Sequence, residues 1–167
     1  MDKSFLKLPT DLQLEALATA ASASGRPIHL LQKDVWVVWS LATIFGAPFA
    51  DHLVFKGGTS LSKGYNAIQR FSEDIDLTYD IRALIPDMVG DSAEALPRNR
   101  SQERKWSSQV RTRLPEWVEK TVVPVIEEAL QRDKLSAELC VADEKVFIKY
   151  EPLARGSGYV SPSVMLE

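Results

Sequence analysis

The sequence has little of the residues from which disulfides and zinc sites are built. Cys140 is the only cysteine, and His29 and His52 are the only histidines, among 167 residues. A single cysteine cannot form an internal disulfide, and so few histidines nearly exclude a zinc site made of His and Cys. We therefore expect Cys140 to be a small buried hydrophobe in a protein of the reducing cytoplasm.

Long apolar runs and a strong net charge are also missing. No stretch approaches the roughly 18 uninterrupted apolar residues of a membrane helix, and the start lacks the apolar run of a secretory signal. The formal net charge is only −3, so the chain as a whole does not attract nucleic acid. We therefore predict a cytoplasmic protein without membrane contact, in which any attraction to nucleic acid comes from a local patch.

The apolar periodicity predicts an α+β fold in two parts. Residues 1–50 form an N-terminal helical cap whose second helix runs over about 29–45, and residues 51–167 form the core. In the core we expect a small mixed sheet flanked by helices. Its expected strands cover 52–55, 74–79, 138–142, 145–150 and 159–167. Because the last strand finishes on the final residue, we expect a longer polypeptide whose C-terminal helical region is missing here.

The remainder of the core holds a helix, a loop and a long apolar stripe. The helix is expected over about 60–68 and a loop over 84–102, where three Pro and Gly residues occur. The stripe runs from Trp106 to Leu130, and Pro115 and Pro124 must kink or split it.

Two aspartates stand one residue apart in the strand predicted at 74–79. Side chains alternate along a strand, so Asp74 and Asp76 point to the same side, about 7 Å apart. Two carboxylates this close repel each other unless a cation neutralises them, and Mg²⁺ prefers oxygen ligands. A lone Asp-x-Asp is more often the polar face of an exposed strand, so the pair alone does not establish a metal site.

A glycine pair upstream favours the metal interpretation. Gly57 and Gly58 lie between a strand and a helix, where glycine lets backbone amides approach phosphate oxygens. Thr59 and Ser60 add hydroxyl donors, and Lys63 follows one turn later. A tight turn before a capped helix would explain the same residues, and neither a Walker loop nor GxGxxG is present. We expect the glycine corner and the acidic strand to meet in one pocket.

The stretch from FKGGTSLSK to RFSEDIDL resembles the AbiEii/AbiGii family of nucleotidyltransferase toxins, which is related to the MenT toxins. The family lies in the DNA polymerase β-like nucleotidyltransferase superfamily. The resemblance is nearly continuous over residues 54–77. A weaker resemblance covers LQKDVWVVWSLATIF and YVSPSVMLE. It implies a nucleotidyltransferase-type core.

The resemblance also implies roles for individual residues. Gly57, Gly58 and Thr59 match the element that holds the triphosphate, and Asp74 and Asp76 match the metal-binding pair. Glu167 matches the third acid, a metal ligand that helps to deprotonate the attacking hydroxyl. Lys149 matches a lysine near the nucleotide, although its spacing does not settle the match. Supporting roles at the phosphate or the metal loop are implied for Lys63, Arg70 and Ser72.

From this resemblance we expect a metal-dependent nucleotidyltransferase. It would use Mg²⁺ or Mn²⁺ to move a nucleoside monophosphate from an NTP to a hydroxyl, releasing pyrophosphate. The resemblance implies an RNA acceptor, the tRNA 3′ end in the MenT branch, and the role of toxin in a toxin–antitoxin or abortive-infection system with a cognate antitoxin. Residues 98–113, with six basic residues and one acid, could follow an RNA backbone or be a solvated helix face. Trp106 could stack on a base, but core packing is favoured.

Three other interpretations stay open at this stage. The acceptor could be a protein or a small molecule, or the chain could be a non-catalytic or truncated binding module of the same fold. A plain structural α/β domain is the least favoured, because it makes the paired glycines and the paired acids coincidental.

Overall fold

A computed structural model describes residues 5–64, 74–90, 94–154 and 160–167 of the chain, without the side chain of Lys63. Two long helices come first, α1 (Thr10–Ser24) and α2 (Ile28–Phe45). The helices that follow in the described residues are α3 (Gly57–Thr59), α4 (Ile81–Leu84), α5 (Pro86–Val89), α6 (Arg100–Trp117) and α7 (Val123–Asp133). Single turns of 3-10 helix cover Phe5–Lys7 and Ala50–His52.

Five strands form one mixed sheet. They are β1 (Leu53–Lys56), β2 (Asp74–Tyr79), β3 (Ala137–Ala142), β4 (Lys145–Tyr150) and β5 (Ser163–Leu166). Their spatial order is β1-β2-β5-β4-β3. Only β2 and β5 run parallel, and the other three neighbouring pairs are antiparallel. The α+β class and the small mixed sheet flanked by helices are confirmed.

The core lies between one face of the sheet and the long helices. Ile75 of β2, Ile148 of β4 and Val164 of β5 are fully buried, and they belong to one cluster with helical residues. The helical members of that cluster are Trp36, Val37 and Ile44 of α2, Val118 and Val122 of the turn after α6, and Ile126 and Leu130 of α7. The helix predicted over 29–45 is thus confirmed, and it packs on the sheet. The boundary at residue 50 stays a prediction.

The apolar stripe is divided between two helices, as its prolines require. Pro115 lies inside α6, and a π-helical turn at Val118–Val122 joins α6 to α7, whose second residue is Pro124. A proline removes one backbone donor and crowds the preceding turn, which accounts for the wider π-helical turn between the two prolines. The helical stripe itself is confirmed.

Three local predictions were wrong. The loop expected over 84–102 contains α5 and, at its start, the end of α4, and α6 begins at Arg100. The core packing favoured for Trp106 is, by contrast, confirmed, because Trp106 is buried with Ile85 and Val89 in a second small cluster. Cys140 is half-buried on the sheet face away from the core, not buried within it. The final strand covers Ser163–Leu166, shorter than the predicted 159–167, whose first residue lies outside the described residues.

Candidate active site

The two faces of the sheet carry different side chains because neighbours alternate along each strand. Ile75, Val146 and Leu166 belong to the core on the inner face. Their sequence neighbours point the other way, so Asp74, Asp76 and Met165 lie on the outer face. The strand registers arrange the outer-face residues into three rows that cross the sheet.

The first row, called here the acidic row, places Glu167 beside the aspartate pair. Lys56 of β1 lies opposite Asp76 of β2. Glu167 lies opposite Asp76 on its other side, because the Glu167 backbone bonds to both neighbours of Asp76. Leu77 N donates to Glu167 O at 2.7 Å, and Glu167 N donates to Ile75 O at 3.0 Å. Lys145 of β4 follows, because its neighbour Val146 pairs with Leu166. The acidic row therefore reads Lys56, Asp76, Glu167, Lys145.

The second row, called here the middle row, begins with a carboxylate and continues with apolar residues. Asp74 pairs with Met165 of β5, Met165 pairs with Phe147 of β4, and Phe147 pairs with Cys140 of β3. All four are half-buried. The third row holds Ser163, Lys149 and Glu138, from the pairs Lys149–Ser163 and Glu138–Lys149.

The glycine corner touches the acidic row at Asp76. Gly57 has a φ of +73°, a left-handed conformation that favours glycine. A Cβ added to Gly57 would lie 2.9 Å from the Asp76 Cβ and would overlap the Asp76 carboxylate. No larger residue fits here without moving the acid. The expected contact between the corner and the acidic strand is confirmed, and the shared pocket stays a prediction.

Thr59 fixes this contact from inside the molecule. Its hydroxyl donates to the Asp74 carbonyl oxygen at 2.5 Å, and the Thr59 side chain is fully buried. Ser60 is also buried, at the start of the π-helical turn Ser60–Gly64 that continues α3. The Thr59 hydroxyl therefore holds β2 against the corner in this structure, and phosphate contacts from Thr59 and Ser60 stay predictions. Gly58 lies between them and Gly57, half-buried, in α3.

Glu167 is held by a lysine that the sequence reasoning missed. Lys145 Nζ donates to Glu167 Oε2 in an ion pair, with the two side chains 41% and 34% exposed. Glu167 raises the pKa of the Lys145 ammonium, chiefly through this hydrogen bond, and the charge of Asp74 adds to the rise. The signal for Lys145 was available, since the Asp-Glu turn at 143–144 sets the hairpin register and puts Lys145 on the outer face.

Lys149, the lysine predicted from the sequence, lies in the third row. It faces Ser163 and Glu138 across the neighbouring strands. The pKa of Lys149 is raised by its hydrogen bond with Cys140 and by the charges of Cys140 and Glu138. Lys149 thus lies on the same face as the acids. It is in the third row, whereas Lys145 is in the acidic row. Arg70 and Ser72 lie outside the described residues.

The outer face offers oxygen ligands to a divalent cation, although no finished cage is present. Asp74 and Asp76 share one face, and the missing Cβ of Gly57 leaves the space that the Asp76 carboxylate occupies. Oxygen-only donors of this kind suit Mg²⁺ and Mn²⁺. Across the described parts of the chain, no three His, Cys, Asp or Glu side chains are arranged to hold a metal. The donors therefore fit such a cation as a pair, and Glu167 would have to leave Lys145 to join them.

A row of arginines follows one side of α6 and is called here the arginine stripe. Arg100, Arg104 and Arg111 line a groove of about 540 Å³ together with Ser107, Ser108, Thr112 and the acid Glu103. Within the described residues these three arginines form no ion pair. Arg113 differs from them, since its guanidinium donates to both carboxylate oxygens of Asp87, at 2.5 and 2.8 Å.

Comparison with known proteins finds one toxin family whose model matches most of the chain. The model of the family described as "Nucleotidyl transferase AbiEii toxin, Type IV TA system" matches residues 39–167. That range starts within α2 and contains the glycine corner and the complete sheet. No curated protein and no solved structure matches the chain. None of the described helices combines the length and apolar content needed to cross a membrane.

Proposed function

Because this chain belongs to the AbiEii family of nucleotidyl transferase toxins, we propose that it moves a nucleoside monophosphate from an NTP to an acceptor hydroxyl and releases pyrophosphate. The family places the protein in a toxin–antitoxin system, with a nucleotide as substrate and an antitoxin as partner. The observation that carries the mechanism is the contact of Gly57 with Asp76.

The acidic row and the glycine corner would share one triphosphate. Backbone amides at Gly57 and Gly58 can approach phosphate oxygens closely because no Cβ intervenes. Asp74 and Asp76, joined by Glu167, would hold Mg²⁺ or Mn²⁺, which when bound neutralises triphosphate charge and polarises the α-phosphorus. The protein otherwise supplies position and charge, which carry most of the rate in phosphoryl transfer.

Glu167 is the base that we propose for the acceptor hydroxyl. It lies next to Asp76 across the parallel β2–β5 pair and on the same face. The ion pair with Lys145 holds Glu167 in the acidic row of the free protein. Release from Lys145 would free the carboxylate to join the metal site and to accept the hydroxyl proton. Lys145 and Lys149, at the two ends of the β4 outer face, are the lysines placed to bind phosphate oxygens.

Removal of one carboxylate tests this mechanism. We expect Asp76→Asn to lower nucleotide transfer by at least about 100-fold, the scale of losing one electrostatic contact in a transition state. The measurement is label transfer from each of four NTPs to total tRNA with Mg²⁺, and melting temperature reports folding. Glu127→Gln, on the exposed side of α7, is the matched control. Transfer by a folded Asp76→Asn protein at the wild-type rate would refute the assignment.

We propose RNA as the acceptor, and the arginine stripe supports this choice. Arg100 and Arg111 are about 16 Å apart along the α6 axis, with hydroxyl side chains between them, so the stripe can follow several phosphates. A tRNA 3′ end is the acceptor that we test first. We also propose that the protein acts in the cytoplasm. Protein and small-molecule acceptors are the alternatives, and the same assay with each pool of acceptors separates them.

Salt dependence tests the stripe. Each lost phosphate contact to single-stranded RNA should lower the slope of log affinity against log salt by about 0.7. We therefore expect Arg104→Gln with Arg111→Gln to reduce the slope by about 1.4. Lys120→Gln is the control, because Lys120 is exposed and already paired with Glu116. An unchanged slope in the double variant would remove the stripe from the RNA site.

A further inference from the structure

We propose that Phe147 and its neighbours in the middle row bind a nucleobase. The inference rests on the proposed function, because it assigns a position to the base of a nucleotide whose phosphates lie at the acids. Its central residues, Phe147 and Met165, have no role in the sequence-based predictions.

The middle row provides an apolar strip that starts at a carboxylate. Met165, Phe147 and Cys140 follow Asp74 across three neighbouring strands. Neighbouring strands are about 4.8 Å apart, so Phe147 is about 10 Å from Asp74 across the sheet. A single nucleotide can bridge that distance between its base and its phosphates.

Phe147 does not belong to the hydrophobic core. Val146 and Ile148 on either side of it are buried in the main cluster, whereas Phe147 is half-buried on the other face. Among the described residues no aromatic ring pairs with Phe147. An aromatic ring on an open sheet face is a common surface for base stacking, because every base has a π face.

Charged groups around Phe147 fit a nucleotide in particular. Lys145 and Lys149 are its neighbours on the outer face of β4, one in the acidic row and one in the third row. The face also carries acids: Glu167 pairs with Lys145, and Glu138 lies opposite Lys149. An apolar strip between two ammonium groups, with a carboxylate pair at one end, matches a flat base joined to phosphates and a cation. A purely apolar partner would exclude water from these charged groups and offer them no counter-charge.

The test compares ligands that differ only in the base. Binding to wild type, Phe147→Leu and Phe147→Trp is measured with each of four NTPs and with inorganic tripolyphosphate, all in Mg²⁺. A second arm uses short single-stranded RNAs that end in an ordinary nucleotide or in an abasic one. We expect Phe147→Leu to weaken binding of the base-containing ligand by about 5- to 100-fold, the range of base stacking on an aromatic ring. Tripolyphosphate or abasic RNA should be unaffected, and Phe147→Trp should retain affinity.

The two arms identify the source of the base. A loss confined to NTPs assigns the strip to the incoming nucleotide, and a loss confined to RNA assigns it to the acceptor. Val54→Ala is the control, because Val54 is 62% exposed on the same face but at the β1 edge. Melting temperature and near-UV circular dichroism show that each variant is folded.

The proposal is overturned by equal binding of wild type and Phe147→Leu within twofold, or by equal losses for ligands with and without a base. It is also overturned if wild type binds none of these probes. Binding that depends on Phe147 in a protein that transfers no nucleotide would refute the proposed function and keep this inference. Wild-type transfer kinetics and wild-type ligand affinity in Phe147→Leu would keep the proposed function and refute this inference.

Discussion

The inner and outer faces of the same five strands follow opposite rules. On the inner face, Ile75, Ile148 and Val164 are fully buried under α2 and α7. On the outer face, one residue away along each strand, lie Asp76, Lys149 and Met165. A substitution on the inner face removes packing, whereas one on the outer face removes charge or a ligand contact. Stability and activity should therefore separate by the parity of the residue number along a strand.

The largest effect on stability should come from the inner face. Ile75→Ala removes a fully buried side chain at the centre of the sheet and should lower the free energy of unfolding by about 2–5 kcal/mol. Its neighbour Asp76→Asn should change the same quantity by less than about 1 kcal/mol. Denaturant titration of both variants measures the contrast, and Leu166→Ala against Met165→Ala repeats it on β5. Similar losses for Ile75→Ala and Asp76→Asn would break the distinction between the faces.

Much of this arrangement could be predicted from alternation alone. The spacing of Asp74 and Asp76 places both on one face, and Ile75, Leu77 and Tyr79 place the other face in the core. The hairpin of β3 and β4 followed in the same way from its Asp-Glu turn. These features are local, since each depends on a few consecutive residues and on the geometry of an extended chain.

The features that were missed depend on contacts between distant residues. Lys145 meets Glu167 only because β4 and β5 pair in one particular register, and a shift of one residue would face it into the core. The short helices α4 and α5 form where Ile85 and Val89 can pack on Trp106, which outweighs the local Pro and Gly signals. The exposure of Cys140 has the same cause, because its parity in β3 decides its face.

An intermediate effect should arise where the outer face is closely packed, at the glycine corner. Gly57→Ala puts a Cβ into the Asp76 carboxylate and forces alanine into a φ of +73°. We expect a loss of about 1–3 kcal/mol in the free energy of unfolding, the usual cost of such a backbone conformation, together with reduced nucleotide transfer. Gly64→Ala is the matched control, because Gly64 has open space around its Cα and its φ is not positive. If both variants behaved alike, the corner would not depend on the missing Cβ.

The smallest loss of stability is expected at Asp133, a carboxylate in the helical layer that covers the inner face. Asp133, at the end of α7, accepts a hydrogen bond from Trp39 Nε1 at 3.0 Å and forms ion pairs with Lys7 at 3.0 Å and Arg132 at 3.1 Å. It therefore joins α7 to α2 and to the N-terminal turn. These contacts, that of Arg132 first, hold the Asp133 pKa well below its usual range. Its charged form is favoured in the folded state, so its contribution is present above the unfolded pKa of about 3.9 and is lost as pH falls below it.

Asp133→Asn should therefore lower the free energy of unfolding by about 1–2 kcal/mol at pH 7. The difference from wild type should shrink below about pH 4, where the unfolded chain takes up the proton that the folded carboxyl resists. Denaturant titrations between pH 3 and 7 measure it, with Glu127→Gln as an exposed control on the same helix. Nucleotide transfer at pH 7 should be unchanged, because Asp133 lies in the helical layer and not in any row of the outer face. An Asp133→Asn protein with wild-type stability but impaired transfer would show that the site extends through the sheet. The assignment of stability to the inner side and activity to the outer face would then be wrong.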